Sequence, residues 1–246
     1  MAAAEQRRKR RTQTIVVVGA VAVIGLALAY AMRGGGSNNK AATAATTSTT
    51  LKLVKGNPDA CPPAAGTKKR FTAFDHAPKM CIDPAKKYTA NIKTDIGTIT
   101  VDLNTATAPN TVNNFVFLAR NHFFDGIIFH RVIPDFMDQT GDPQGNGTGG
   151  PGYQFDDEIP AGYAYTEGDV AMANSGPNTN GSQFFLVDSA NGAQTLLSAV
   201  GGVPKYTPFG HVTKGLSIVQ HINKDGSGGG EPNVEHHMIS VTITEE

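Results

Sequence analysis

A cation, Arg131, stands two positions after Phe129 and shortly before Phe136, Met137 and Gln139, within the stretch FHRVIPDFMDQTGDPQGNGTGGPGYQFDDE at 129–158. A guanidinium among aromatic and thioether groups packs poorly in a plain core and suits the wall of a binding groove. There it can donate to an atom that gains electron density during a reaction, with no proton transferred. If 129–139 is extended with a local break at Pro134, Phe129, Arg131 and Ile133 can share one wall with Phe136, Met137 and Gln139. From these residues alone, an ordinary strand with a surface arginine fits equally well.

A second stretch, MANSGPNTNGSQFF at 172–185, is a polar loop with turn signals at Gly176-Pro177 and Asn180-Gly181, running into an apolar strand at 183–187. FHRVIPDFM with GTGGPGYQFDDE, then MANSGPNTNGSQFF, then YTPFGHV at 206–212 recur in this order across about 88–245. Together they resemble the cyclophilin family of peptidyl-prolyl cis/trans isomerases. Each piece alone is weak, and the ordered set is specific.

The resemblance implies rotation about X–Pro bonds as the reaction. The imide C–N bond has partial double-bond character, so uncatalysed rotation crosses a barrier of about 20 kcal/mol and takes tens to hundreds of seconds. Twisting the bond returns a lone pair to the prolyl nitrogen. A cation donor aimed at that nitrogen binds the twisted state better than the planar one, which is what acceleration requires. The position of Arg131 matches the family's catalytic arginine. By the same resemblance, Phe136, Met137 and Phe185 form the proline pocket. Gln139, Asn174 and Gln183 hold the substrate backbone, Gly147, Ala173 and Ser175 line the groove, and Tyr206 stands at its rim. Taken singly, Phe136, Met137 and Phe185 read as core, and Asn174 as a turn residue bonding its own backbone. His130 reads as structural, and no cofactor or metal is implied.

Departures from the family pattern fall at the rim. The chain has no tryptophan, so the rim Trp important for cyclosporin binding in many members has no counterpart, and weak cyclosporin binding is expected. Asp188 to Lys205 reads as an insertion. Tyr206 stands where many members have His, and Asp135 and Thr140 stand where glycines are frequent. A proline-peptide-binding module or chaperone with weak turnover is the alternative function. The run Gly145 to Gly150 fits G-x-G-x-x-G, but Pro151-Gly152 follow where a helix should begin, which argues against a dinucleotide site. His236-His237 reads as a solvated pair rather than a metal site.

The elements that must position these residues begin near Tyr88. Tyr88, Ala90 and Ile92 alternate with polar residues, and Ile99, Val101 and Leu103 do so again after Asp95-Ile96-Gly97, predicting a β-hairpin. Pro109 opens a helix with Val112, Phe115, Val116 and Ala119 on one stripe. Further strands are expected at 168–173, 183–187, 209–212 and 238–243, with a helix at 216–222. The whole suggests a mainly β fold, a closed antiparallel eight-stranded barrel capped by two helices over 87–246. The resemblance implies the same fold.

The amino-terminal part reads differently. RRKRR at 7–11, within a basic tail at 1–13, precedes the uncharged apolar run TIVVVGAVAVIGLALAYAM at 14–32, and the chain as a whole has zero formal net charge. The run is close to the roughly 20 residues that span a bilayer, and the basic flank predicts a cytoplasmic amino terminus. The expectation is a single-pass signal-anchor in the cell membrane with an extracytoplasmic catalytic domain. A cleaved signal peptide ending at Ala29-Tyr30-Ala31 is the alternative. A flexible linker follows at 33–55, and 56–86 is irregular and carries the only cysteines, Cys61 and Cys81. Outside the cytoplasm such a pair is most economically a disulfide, worth about 3 kcal/mol. Basic tail, anchor and cysteine pair together suggest a bacterial envelope protein, with actinobacteria as one such source. Nothing in the charge balance suggests nucleic-acid binding.

Overall fold

The computed structural model describes residues 53–246. Nine strands and three helices follow one another within them: β1 (Tyr88–Thr94), β2 (Gly97–Leu103), α1 (Pro109–Arg120), β3 (Ile127–Ile128), β4 (Arg131–Ile133), β5 (Met137–Thr140), β6 (Asp169–Met172), β7 (Phe184–Leu186), α2 (Ala190–Ala199), β8 (Pro208–Lys214), α3 (Leu216–Lys224) and β9 (His237–Glu245). The sheet is antiparallel throughout, in the order β3-β9-β1-β2-β8-β6-β7-β5-β4.

The alternation at 88–103 produces the hairpin it predicts. Tyr88, Ala90, Ile92, Ile99, Val101 and Leu103 all point into the core. Helix α1 starts at Pro109, and its first turn contains no acid of its own. Glu158 supplies the cap from elsewhere in the chain, accepting from the Asn110 and Thr111 backbone N–H groups at 3.1 and 2.7 Å.

Sequence periodicity gives α1 one apolar stripe, yet every residue from Thr111 to Arg120 is buried. The irregular segment before β1 covers its other side. Phe74 meets Phe117 edge-on with ring centroids 4.9 Å apart. The Asn113 amide accepts from Cys81 N–H and donates to Lys79 O, at 2.7 and 3.0 Å. Cys61 and Cys81 form a disulfide with Cα atoms 5.3 Å apart, which closes this segment over the helix.

The sheet is not the closed eight-stranded barrel with two helices that the sequence suggests. It is an open, strongly curled nine-stranded half-barrel with three helices. Its two edge strands, β3 and β4, are separated in the chain only by Phe129 and His130, so the sheet curls until its edges approach. They do not pair, because the outer side of β4 is already occupied. Val132 N–H donates to Gly230 O at 2.8 Å and Val132 O accepts from Ser227 N–H at 3.1 Å, so the loop after α3 takes the place of a closing strand. A side-chain bond from Thr140 Oγ1 to Ile128 O at 2.9 Å bridges the seam.

The expectation of a transmembrane helix, and with it a membrane partner, a signal-anchor and a single-pass location with a cytoplasmic amino terminus, is corrected as well. Among the described residues no helix is long and apolar enough to cross a membrane. The longest, α1, has 12 residues and reaches about 18 Å, well short of a hydrocarbon core of about 30 Å. The run at 14–32, on which that expectation rests, lies outside the described residues.

Candidate active site

Arg131 and Gln139 are brought together by a tight hairpin rather than by one broken strand. β4 and β5 pair antiparallel with Arg131 opposite Gln139 and Ile133 opposite Met137. Phe136 N–H closes the turn on Ile133 O at 3.1 Å, with Pro134 second and Asp135, at φ 56°, third. That is the pattern of a type II turn, whose third position favours glycine, which accounts for the glycines frequent there in the family and leaves Asp135 in a left-handed conformation. Asn223 on α3 braces the turn. Its Oδ1 accepts from Asp135 N–H at 3.0 Å, and its Nδ2 donates to Ile133 O and Asp138 Oδ1 at 3.0 and 2.8 Å.

From Arg131 a run of hydrogen-bonded amides leads to the 147–149 loop. Arg131 Nη1 donates to Gln139 Oε1 at 3.3 Å and lies 3.9 Å from Met137 Sδ. Gln139 Nε2 donates to Gln183 Oε1 at 2.9 Å, and Gln183 Nε2 donates to Gly147 O and Gly149 O at 3.0 and 2.9 Å. Asp142 holds the far loop, accepting from the backbone N–H groups of Gln144, Asn146 and Gly147. No carboxylate among the described residues forms a salt bridge with Arg131. Burial pulls its pKa down and nearby Tyr206 pulls it up; the guanidinium stays charged and half-exposed.

Beside the cation lies a hydrophobic cluster distinct from the main core. Met137 and Phe185 are buried in it with Ala171, Val187, Ala193 and Leu196, and Phe136, Ala173 and Tyr206 pack on it partly exposed. The Tyr206 ring meets Phe185 edge-on at 5.4 Å. Tyr206 is held by its backbone, its N–H donating to Tyr165 Oη at 3.0 Å and its O accepting from that hydroxyl at 2.7 Å.

The insertion-like segment proves to be α2, which forms the back of this cluster through Ala193 and Leu196. Its signals are present in the sequence. Ser189 caps it by accepting from Gly192 N–H at 3.0 Å, and Ala193, Leu196, Leu197 and Val200 keep helical spacing.

The remaining predicted residues divide. Gly147, at φ 86°, has nothing within 4 Å of where a Cβ would sit, so it faces open space. Asn174 uses its side chain within the chain, donating to Lys205 O at 2.9 Å and accepting from Gly176 N–H at 3.3 Å. Ser175 is exposed, and its N–H goes to Thr179 Oγ1 rather than to any other predicted residue. Burial is the main force lowering the His130 pKa, against the charge of Asp142, and it favours the neutral ring. Two cavities of about 280 Å³ lie elsewhere, one by Tyr163, Asp169 and His211 and one by Asn110, Phe155 and Glu158.

Residues 89–243 match the family described as cyclophilin type peptidyl-prolyl cis-trans isomerase/CLD. The chain belongs to the cyclophilin-type peptidyl-prolyl cis-trans isomerases. It is accordingly an isomerase of X–Pro peptide bonds. Among curated relatives of this cyclophilin, peptidyl-prolyl cis-trans isomerase-like 1 of Aspergillus oryzae is 42% identical over 158 residues, covering 62% of this chain and 93% of that protein. The Aspergillus fumigatus protein of the same name is 45% identical with the same coverage. A peptidyl-prolyl cis-trans isomerase of Dictyostelium discoideum is 40% identical over 63% of this chain and 96% of its own. A solved Cryptosporidium parvum cyclophilin type isomerase superposes with a TM-score of 0.57 at 28% identity, over 65% of this chain and 99% of that one. The same protein in the presence of the dipeptide Ala-Pro gives 0.56 at 29% identity, over 64% and 99%. These relatives are fungal and protist, which corrects the expectation of a bacterial, membrane-anchored member.

Proposed function

We propose that this cyclophilin lowers the rotational barrier by donating a hydrogen bond from Arg131 to the prolyl nitrogen as the imide twists. The observation that carries this reading is a half-exposed guanidinium, free of any carboxylate, standing next to an apolar cluster that includes Met137 and Phe185. A neutralised cation would offer little to a nitrogen that becomes basic only in the twisted state. A bond to a charged donor contributes about 1.5 to 3 kcal/mol, or roughly ten- to a hundredfold in rate.

The proline ring would rest on Phe136, Met137 and Phe185, with Tyr206 and Ala173 closing the rim. The hydrogen-bond inventory refines the roles that the family pattern suggests for the amides. Both Gln183 donors are engaged by Gly147 O and Gly149 O, so Gln183 fixes Gln139 and the loop. Gln139 keeps one N–H for the substrate. The Asn174 side chain is committed to Lys205 O, Asp157 Oδ1 and Gly176 N–H, which leaves its main chain, with Gly147 and Ser175, to meet the flanking peptide. Arg131→Ala should lower kcat/KM on an Ala-Pro-Phe peptide at least about tenfold. Unchanged turnover in a folded variant would remove Arg131 from the mechanism.

A further inference from the structure

Both ring nitrogens of buried His236 face carboxylate oxygens. Nδ1 lies 2.8 Å from Asp95 Oδ2, and Nε2 lies 2.9 Å from Asp225 Oδ2. A carboxylate only accepts, so both contacts are hydrogen bonds only when both nitrogens carry protons. The site therefore selects the imidazolium. The two acids come from different elements, Asp95 from the β1–β2 turn and Asp225 from the end of α3. Asp95 Oδ1 also accepts from His237 N–H at 3.0 Å. From α3, His221 stands with its ring centroid 6.2 Å away and its Nε2 3.8 Å from Asp225 Oδ2, and Glu235 and His237 flank His236 in the chain.

Asp225 opens the loop that occupies the outer side of β4. Asn233 N–H closes this loop on Asp225 O at 2.7 Å, and Ser227 and Gly230 bond to both sides of Val132. The fit is tight at Gly226 and Gly230. A Cβ on Gly226 would lie 2.6 Å from Val132 O, and one on Gly230, at φ +90°, would lie 3.1 Å from Arg131 Cγ. His236 also reaches the two-residue link that precedes β4, its O accepting from Phe129 N–H at 2.9 Å.

We propose that His236 is a positioning residue for Arg131: its imidazolium ties Asp95 to Asp225, fixes the 225–230 loop, and so couples isomerase turnover to a proton held away from the groove. This rests on the reading of Arg131 given above. Burial alone would lower the His236 pKa, but its hydrogen bonds to Asp225 and Asp95, then their charges, outweigh it and the net direction is upward. The folded value thus lies above the unfolded one. The tie is complete below the ordinary histidine range and is lost as pH rises through the folded value.

The full chain is assayed on an end-blocked Ala-Pro-Phe peptide, which does not titrate, from about pH 6 to about pH 9, beside Arg131→Ala and His236→Gln. Wild-type kcat/KM is expected to fall about three- to tenfold in one step whose midpoint matches the His236 ring titration seen by NMR. His236→Gln, which cannot titrate, should lose the step. Tyr206, whose pKa moves up from the ordinary tyrosine value, titrates above that window, and His130, whose pKa moves down, titrates below the step expected of His236, whose pKa moves up. Full activity in Arg131→Ala would overturn the reading of Arg131 and the inference with it. A large loss in Arg131→Ala together with a flat wild-type profile, or a step that survives in His236→Gln, would overturn the inference alone. Should His236→Gln fail to fold, the wild-type Arg131 Nε–Hε resonance decides: it must shift with the His236 midpoint, and a resonance that does not move contradicts the proposal.

Discussion

Arg131 and Gln139 are register partners across the β4–β5 hairpin, with Nη1 of the one 3.3 Å from Oε1 of the other. Gln139 in turn reaches Gln183, so the guanidinium is the end of a row of oriented amides. Gln139→Leu removes the acceptor that aims Arg131 and the N–H left for substrate, while keeping bulk. A loss of about tenfold in kcat/KM is expected, with stability changed by less than about 1 kcal/mol. Steady-state kinetics beside urea unfolding checks both.

Asp135 holds a left-handed conformation at the tip of the same hairpin, where a residue with a Cβ is strained and glycine is not. Its charge also faces Asp188, whose pKa is raised by burial first and by Asp135 among the nearby charges. Asp135→Gly is therefore expected to stabilise the protein by about 0.5 to 1 kcal/mol, read as a higher denaturation midpoint with an unchanged slope.

Asp138, between Met137 and Gln139, turns away from the groove into the interior. Burial drives its pKa well above the usual carboxylate range, the Asn223 hydrogen bond opposes this, and the charge of Asp188 adds to it. One carboxyl oxygen, Oδ2, has no partner. With a folded value above the unfolded one, the native state binds the extra proton, so this group's contribution falls as pH rises from the ordinary carboxylate range through the raised value. Asp138→Asn removes that slope. Wild type and variant should approach each other in stability near about pH 4 and diverge toward about pH 8 in the variant's favour, as urea unfolding at the two pH values would reveal.

Much of the fold was legible because its signals are local. Alternation at 88–103 and the stripe from Val112 to Ala119 need only a few consecutive residues, and both became the expected elements. What was not legible depends on partners far along the chain. The full burial of α1 follows from a segment with no periodicity of its own, and the open seam beside β4 follows from where the 225–230 loop settles. Asn223 binds Asp138 across 85 positions, and His236 binds Asp95 across 141; such pairs leave no mark in a window. Helix α2 was hidden differently, with its cap and spacing present but spread over small residues between glycines. At the site, ordered motifs brought Arg131, Met137, Gln139, Gln183 and Phe185 into view. The bonds that Gln183 and Asn174 make within the chain could be read only from the structure.

The Cys61–Cys81 disulfide closes the segment that covers α1 over a sequence separation of 20. Replacing both cysteines by alanine should cost about 3 kcal/mol and increase amide exchange at Gly56 and Phe74, whose N–H groups bond to Ala73 O and Pro151 O. Exchange in the β4–β5 hairpin should remain as slow as in wild type, because its braces come from Asn223 and the 225–230 loop. Hydrogen-exchange mass spectrometry separates the two regions.

The most direct test of the central claim is NMR exchange spectroscopy of an Ala-Pro-Phe peptide with wild type and Arg131→Ala, which gives affinity and the bound-state interconversion rate in one experiment. If Arg131 acts on the twisted imide, the bound rate falls at least about tenfold while affinity changes by no more than about twofold. If affinity collapses while the bound rate persists, Arg131 holds the substrate and does not lower its barrier.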